Sequence, residues 1–130
     1  MGLGIHVQLV VSIFLRRTRR PRILFLSETL SNKEEMEFLR VSLVYGSCFT
    51  VDCRGHSGGL ALLWEESLQV NLLSYSNNHI DVIIDNWGSS PWRFTGIYGF
   101  PTTSNRRDTW LLMKHLSSQS PLPWCMILIV

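Results

Sequence analysis

The run Ile23-Leu24-Phe25-Leu26-Ser27-Glu28-Thr29 carries four apolar residues directly into a carboxylate. A buried strand that delivers an acid to its carboxyl edge is a common way for an α/β protein to place a metal ligand or general base. A plain polar βα loop ahead of Asn32 and Lys33 accounts for the same residues without any chemistry. Tyr98 stands in a matching place, at the end of the predicted strand Trp92 to Ile97. A carboxylate can hold Mg²⁺ and a phenol can hydrogen-bond a phosphate oxygen, so the pair suits phosphodiester chemistry if both reach one sheet edge.

Other residues compete for a role. Gly55-His56-Ser57-Gly58-Gly59 matches GxSxG, the turn that presents a nucleophilic serine between a strand and a helix. Leu60 to Leu73 reads as strands instead, and a hairpin turn with Gly58 and Gly59 at positive φ explains the pattern without catalysis. His79 and Asp81 sit two apart and share one face of a strand, which is expected to be solvated. Trp64, Trp87, Trp92, Trp110 and Trp124 have the ring faces to stack on bases, but scattered tryptophans usually pack cores and rims. Cys48, Cys53 and Cys125 form no CxxC pair, so a zinc site is not indicated, and reduced thiols point to a nuclear or cytoplasmic protein, not a secreted one.

The elements that must position these residues follow from patterning. Pro21 marks a boundary, Ile23 to Leu26 is a buried strand, and Asn32 or Ser31 caps a helix from Lys33 to about Leu43. Met36, Leu39 and Leu43 give that helix its apolar face, Glu34 and Glu35 favour its first turn, and Gly46 is expected to end it. Strands are then expected at Cys48 to Cys53, Leu60 to Trp64, Leu68 to Leu73, His79 to Ile84 and Trp92 to Tyr98. Short connections such as Asn77-Asn78 imply an antiparallel meander. A second helix is expected from about Arg106 to Leu116, and Pro121 and Pro123 separate it from the apolar run Trp124 to Val130.

Charge is uneven along the 130 residues. Arg16, Arg17, Arg19, Arg20 and Arg22 crowd the start, while the remainder has more Asp and Glu than Lys and Arg. A nucleic-acid-binding face spread over the domain is therefore not visible in composition, and a basic N-terminal arm is the most that composition supports. The preceding segment, MGLGIHVQLVVSIFL, is apolar but falls short of the roughly 20 residues a membrane span needs. Residues 1–20 are expected to be an amphipathic or poorly folded leader and 21–130 a partial domain.

Taken together, ILFLSET, VDCRGHSGGLALLW, SNNHIDVIID, WRFTGIYGFPTTSNRRDTWLLMKHL and LPW resemble the endonuclease/exonuclease/phosphatase superfamily, most of all the endonuclease domain of plant LINE-type non-LTR retrotransposons. The likeness runs in unbroken order from about residue 21 to 124. It implies an α/β fold, a two-sheet sandwich of mostly antiparallel strands with outer helices. It also implies Mg²⁺- or Mn²⁺-dependent nicking of DNA, with Glu28 as metal ligand and Tyr98 as phosphate contact. No membrane and no defined protein partner are implied.

The departures are as specific as the matches. The family's early Asn motif has no counterpart in MGLGIHVQLVVSIFL, the G-D-F-N element does not follow Trp124 to Val130, and the Ser-Asp-His element is missing. Groups that act together lose most of their rate enhancement when several are removed. The expectation is a fragment of the fold, inactive or nearly so, that lacks most of its second sheet and exposes an apolar face. The alternatives are a non-catalytic nucleic-acid-binding remnant that uses Arg16 to Arg22, or a serine hydrolase fragment acting through Ser57.

Overall fold

A computed structural model describes residues 9–13, 21–53, 58–86, 90–99 and 103–129. The elements in chain order are β1 (Leu9–Ile13), β2 (Ile23–Ser27), α1 (Lys33–Ser42), β3 (Ser47–Val51), β4 (Leu60–Trp64), β5 (Leu68–Ser76), β6 (His79–Asn86), β7 (Trp92–Tyr98), α2 (Thr103–Ser117) and β8 (Trp124–Ile129). They form two four-stranded sheets, ordered β1-β2-β4-β3 and β5-β6-β7-β8. All strand pairs are antiparallel except β7 with β8. This is the mostly antiparallel α/β sandwich that the resemblance implies. The second sheet is not missing, however, and its inner face is covered, contrary to the expected exposed apolar face. Residues 9–13, expected to lie in a leader, pair with β2 from Leu9↔Ser27 to Ile13↔Ile23.

Alternation along each strand decides the layers. Ile23, Phe25, Leu60 and Leu62 of the first sheet meet Ile80, Val82, Ile84, Phe94 and Ile129 of the second in one buried cluster. The rings of Phe25 and Phe94 meet edge to face, with centroids 6.1 Å apart. The opposite face of the first sheet uses the other parity: Leu24, Leu26, Ala61 and Leu63 pack with Met36 of α1 and with Tyr45. Both faces of β2 and β4 are therefore apolar, which explains why each reads as a continuous hydrophobic run.

Local chemistry starts and stops α1. Asn32 Oδ1 accepts from Glu35 N–H at 2.9 Å, and Glu35 Oε1 accepts from Asn32 N–H at 3.3 Å, closing a capping box. At the other end Tyr45 N–H donates to Arg40 O (3.0 Å) and Val44 N–H to Val41 O (3.1 Å), the bond pattern of a Schellman motif. The left-handed residue there is Val44, at φ 62°, and not the expected Gly46. Gly46 serves a different need, because a Cβ on it would come within 2.7 Å of the Glu66 backbone.

Glycine is also required between the sheets. A Cβ on Gly96 in β7 would lie 2.6 Å from the Phe25 ring. That ring is fully buried and hemmed in by Phe94, so it has no room to retreat. Gly96→Ala is expected to destabilise the fold by about 1–3 kcal/mol, the usual cost of overpacking. Urea denaturation of the two proteins, compared at equal m-value, checks this.

Candidate functional site

Glu28 is the first residue after β2, and the turn it opens is tightly held. Thr29 N–H donates to Gly59 O at 3.2 Å and Leu30 N–H to Gly58 O at 3.1 Å. Thr29 and Ser31 are buried, and Ser31 Oγ donates to Thr29 O at 2.8 Å. Cys53 N–H adds a further bond, to Ser31 O at 3.2 Å. Within this turn Glu28 and Leu30 both adopt left-handed backbone, at φ 51° and 52°. Such conformations cost about 1–3 kcal/mol each in non-glycine residues and persist only where surrounding contacts over-determine them.

The glycines that were expected to form a hairpin turn do so, with Gly58 at φ 83° and Gly59 at φ 96°. They join β3 and β4, which pair from Ser47↔Trp64 to Val51↔Leu60. The nucleophile-elbow alternative needs a helix after the turn, and the element found there is a strand. Ser57 itself lies outside the described residues. The glycines also have a role that the motif search missed: a Cβ on Gly59 would lie 2.2 Å from Thr29 Oγ1, so this turn can sit directly under the Glu28 segment.

Tyr98 reaches the same place from the other sheet. It is the last residue of β7, half-buried and packed against the inter-sheet core. Its phenol lies close enough to the Glu28 carboxylate for that group to act on its ionisation. Burial first, and then the neighbouring Glu28 carboxylate, raise the phenol above its usual pKa, so it stays protonated at neutral pH. The pair therefore meets across one end of the sandwich, and not along one sheet edge as the strand pattern implied. Ser27 Oγ, one residue before Glu28, is buried with no hydrogen-bond partner.

His79 and Asp81 do share a face of β6, but the face is buried, not solvated. The reason is a compensating cation on the neighbouring strand. Arg93 Nε donates to Asp81 Oδ1 at 2.8 Å and Nη2 to Oδ2 at 2.7 Å, while Thr95 Oγ1 donates to Oδ1 at 2.6 Å. Trp124 Nε1 donates to Thr95 Oγ1 at 2.7 Å, and the guanidinium lies 4.6 Å over the Trp124 ring. All of Asp81's oxygens are thus committed to structure, which removes it as a metal ligand alongside His79. His79 fills its own needs, with Nδ1 2.6 Å from Ser76 Oγ and Nε2 3.0 Å from Ser74 Oγ.

The remaining candidates are placed as follows. Trp64 and Trp92 pack on the core, and Trp124 and the exposed Trp110 line a groove between α2 and β8 with Met113 and Met126. Trp87 lies outside the described residues. Arg22 is buried, pairing with Glu65 and donating from Nη2 to Ser67 Oγ at 3.0 Å, so it is not free to contact phosphate. Arg16, Arg17, Arg19 and Arg20 lie outside the described residues. The three cysteines are free thiols, and burial pushes the Cys48 thiol up to about 12, with Glu37 adding to the rise.

Among the described residues, no group of three or more His, Cys, Asp or Glu side chains comes together around a cation position. Mg²⁺ is compatible with a sparser site, because it keeps several waters and takes one or two carboxylates plus substrate phosphate oxygens. A carboxylate has two oxygens with several acceptor directions, so a neighbouring phenol leaves Glu28 room for a cation. Among the described residues, no helix is long and apolar enough to cross a membrane. No family model matches the chain, and no curated protein is significantly similar to it.

The His79 environment has a pH consequence. Burial and Arg93 depress its pKa, outweighing the opposite pull of Asp81. In the unfolded chain the ring takes up its proton near the ordinary value of about 6.5, whereas the native ring resists until lower pH. Stability is therefore expected to fall as pH drops below about 6.5, until the native pKa is passed. Thermal midpoints measured from pH 7.5 to 5 should show this slope, and His79→Gln should flatten it.

Proposed function

We propose that this chain is a DNA phosphodiesterase domain of the retrotransposon endonuclease type, with Glu28 as the ligand for Mg²⁺ or Mn²⁺ and Tyr98 as the phosphate contact. One observation carries the reading: two residues 70 positions apart, at the ends of strands from different sheets, come together at one end of the sandwich, close enough for the carboxylate to act on the phenol. The strained, multiply bonded turn under Glu28 supports it, since strain of this sort collects at functional sites.

Each residue has a defined task. Glu28, as the carboxylate, holds the divalent cation, which when bound polarises the phosphoryl oxygens. Tyr98, kept protonated, would direct its single O–H away from Glu28 to a non-bridging phosphate oxygen once substrate is bound, orienting the phosphodiester against that end of the sandwich. Arg93 and Asp81 hold β6 and β7 in register behind it and touch no substrate.

Glu28 and Tyr98 provide for metal and phosphate but neither activates the attacking water, so this pair by itself is expected to bind better than it turns over. Metal binding is therefore the more sensitive test. Electron paramagnetic resonance should detect Mn²⁺ bound by the protein in the presence of a short DNA duplex. Glu28→Gln should abolish the bound fraction, and Tyr98→Phe should weaken the duplex-dependent part about tenfold, as loss of one hydrogen bond does. Supercoiled plasmid should be nicked slowly or not at all. Undiminished Mn²⁺ binding by Glu28→Gln would refute the assignment.

A further inference from the structure

The hairpin between β5 and β6 ends against Tyr98. The β6–β7 ladder begins at His79↔Ile97, and extending it by one residue sets Asn78 opposite Tyr98. Tyr98 N–H donates to Asn78 O at 2.7 Å. A regular antiparallel pair would return a bond from Asn78 N–H to Tyr98 O. That N–H is instead turned inward to Ser76 Oγ, at 3.1 Å. The Asn78 side chain supplies the missing donor, with Nδ2 3.2 Å from Tyr98 O.

We infer that Asn78 is a positioning residue for Tyr98: its side-chain amide completes the last rung of the β6–β7 ladder and so aims the phenol at Glu28. The inference rests on the Glu28–Tyr98 reading of the site. Closing the hairpin does not need this bond, because Ser76 and the backbone already form the turn. The amide is directed at residue 98, where β7 leaves the sheet and its backbone depends on few remaining rungs. On the far side, Tyr98 pairs with Ile129, the last residue of β8. Asparagine meets the requirement because it offers an N–H at the length needed. An aspartate of the same shape would place an acceptor against the Tyr98 carbonyl.

The test reads the phenol directly. The chain has three tyrosines, Tyr45, Tyr75 and Tyr98, so ¹³C labelling of the tyrosine rings yields a simple NMR spectrum. Tyr98→Phe assigns the Tyr98 signal, and Glu28→Gln shows where that signal moves when its carboxylate partner is lost. Asn78→Ala and Asn78→Asp should each shift the Tyr98 signal toward the Glu28→Gln position, while Tyr75, on β5 of the same hairpin, and Tyr45 keep theirs. A Tyr98 signal that stays in place in either folded variant would overturn the inference, as would an equal shift of Tyr75. Loss of the folded state in both variants would also overturn it, because a residue that only positions Tyr98 is dispensable for folding. The readout needs neither metal nor DNA, so it stands or fails separately from the Mn²⁺ result.

Discussion

The close approach of β2 to β7 governs the rest of the molecule. Packed sheets ordinarily lie about 10 Å apart, with side chains filling the gap. Here Gly96 contributes no side chain, and the Phe25 ring fills its place while meeting Phe94 edge to face. This locks the centre of the first sheet over the centre of the second. Phe25 is three residues before Glu28, and Gly96 is two before Tyr98. A contact in the core therefore fixes the meeting of the two strand ends, and the site inherits its geometry from apolar packing.

The outer face of the second sheet solves a different problem. Arg93 and Asp81 are fully buried, and taking both charges out of water is costly unless the pair is well bonded. The two-point Arg93–Asp81 contact, with Thr95 and the Trp124 ring alongside, meets most of that requirement. Arg93 Nη1 is buried with no hydrogen-bond partner, so the compensation is incomplete. Replacing such pairs with apolar residues is often neutral or stabilising. Directional bonds of this kind do contribute a unique alignment of β6 against β7, and that alignment sets where Tyr98 emerges.

The turn after β2 shows how the two kinds of constraint combine. Left-handed backbone at Glu28 and Leu30 is unfavourable in isolation, and the carbonyls of Gly58 and Gly59 hold it in place. Those glycines are free to do so because they lie at positive φ themselves. What looks in the sequence like the loop of a hydrolase is, in the fold, the support for an acidic residue on a neighbouring strand.

Most secondary elements after residue 20 were legible in the sequence, because apolar periodicity, caps and turn residues are local. β2, β4 and β7 start and stop at or within a residue or so of the expected places, and Asn32 caps α1. It also marked Glu28 and Tyr98 as the pair to watch. Where it misled, the deciding partner was remote. Val44 and not Gly46 closes α1, and Gly46 answers instead to Glu66, which leaves residue 46 no space for a side chain. His79 and Asp81 are buried because Arg93, on another strand, neutralises the acid. The pairing of β1 and the support of Glu28 by Gly58 and Gly59 depend on strand order in the same way. Tertiary structure alone decided that Glu28 and Tyr98 face each other from separate sheets, since their contact is set by how two layers stack. No local pattern encodes the register between layers; it emerges only when Phe25 finds the gap at Gly96.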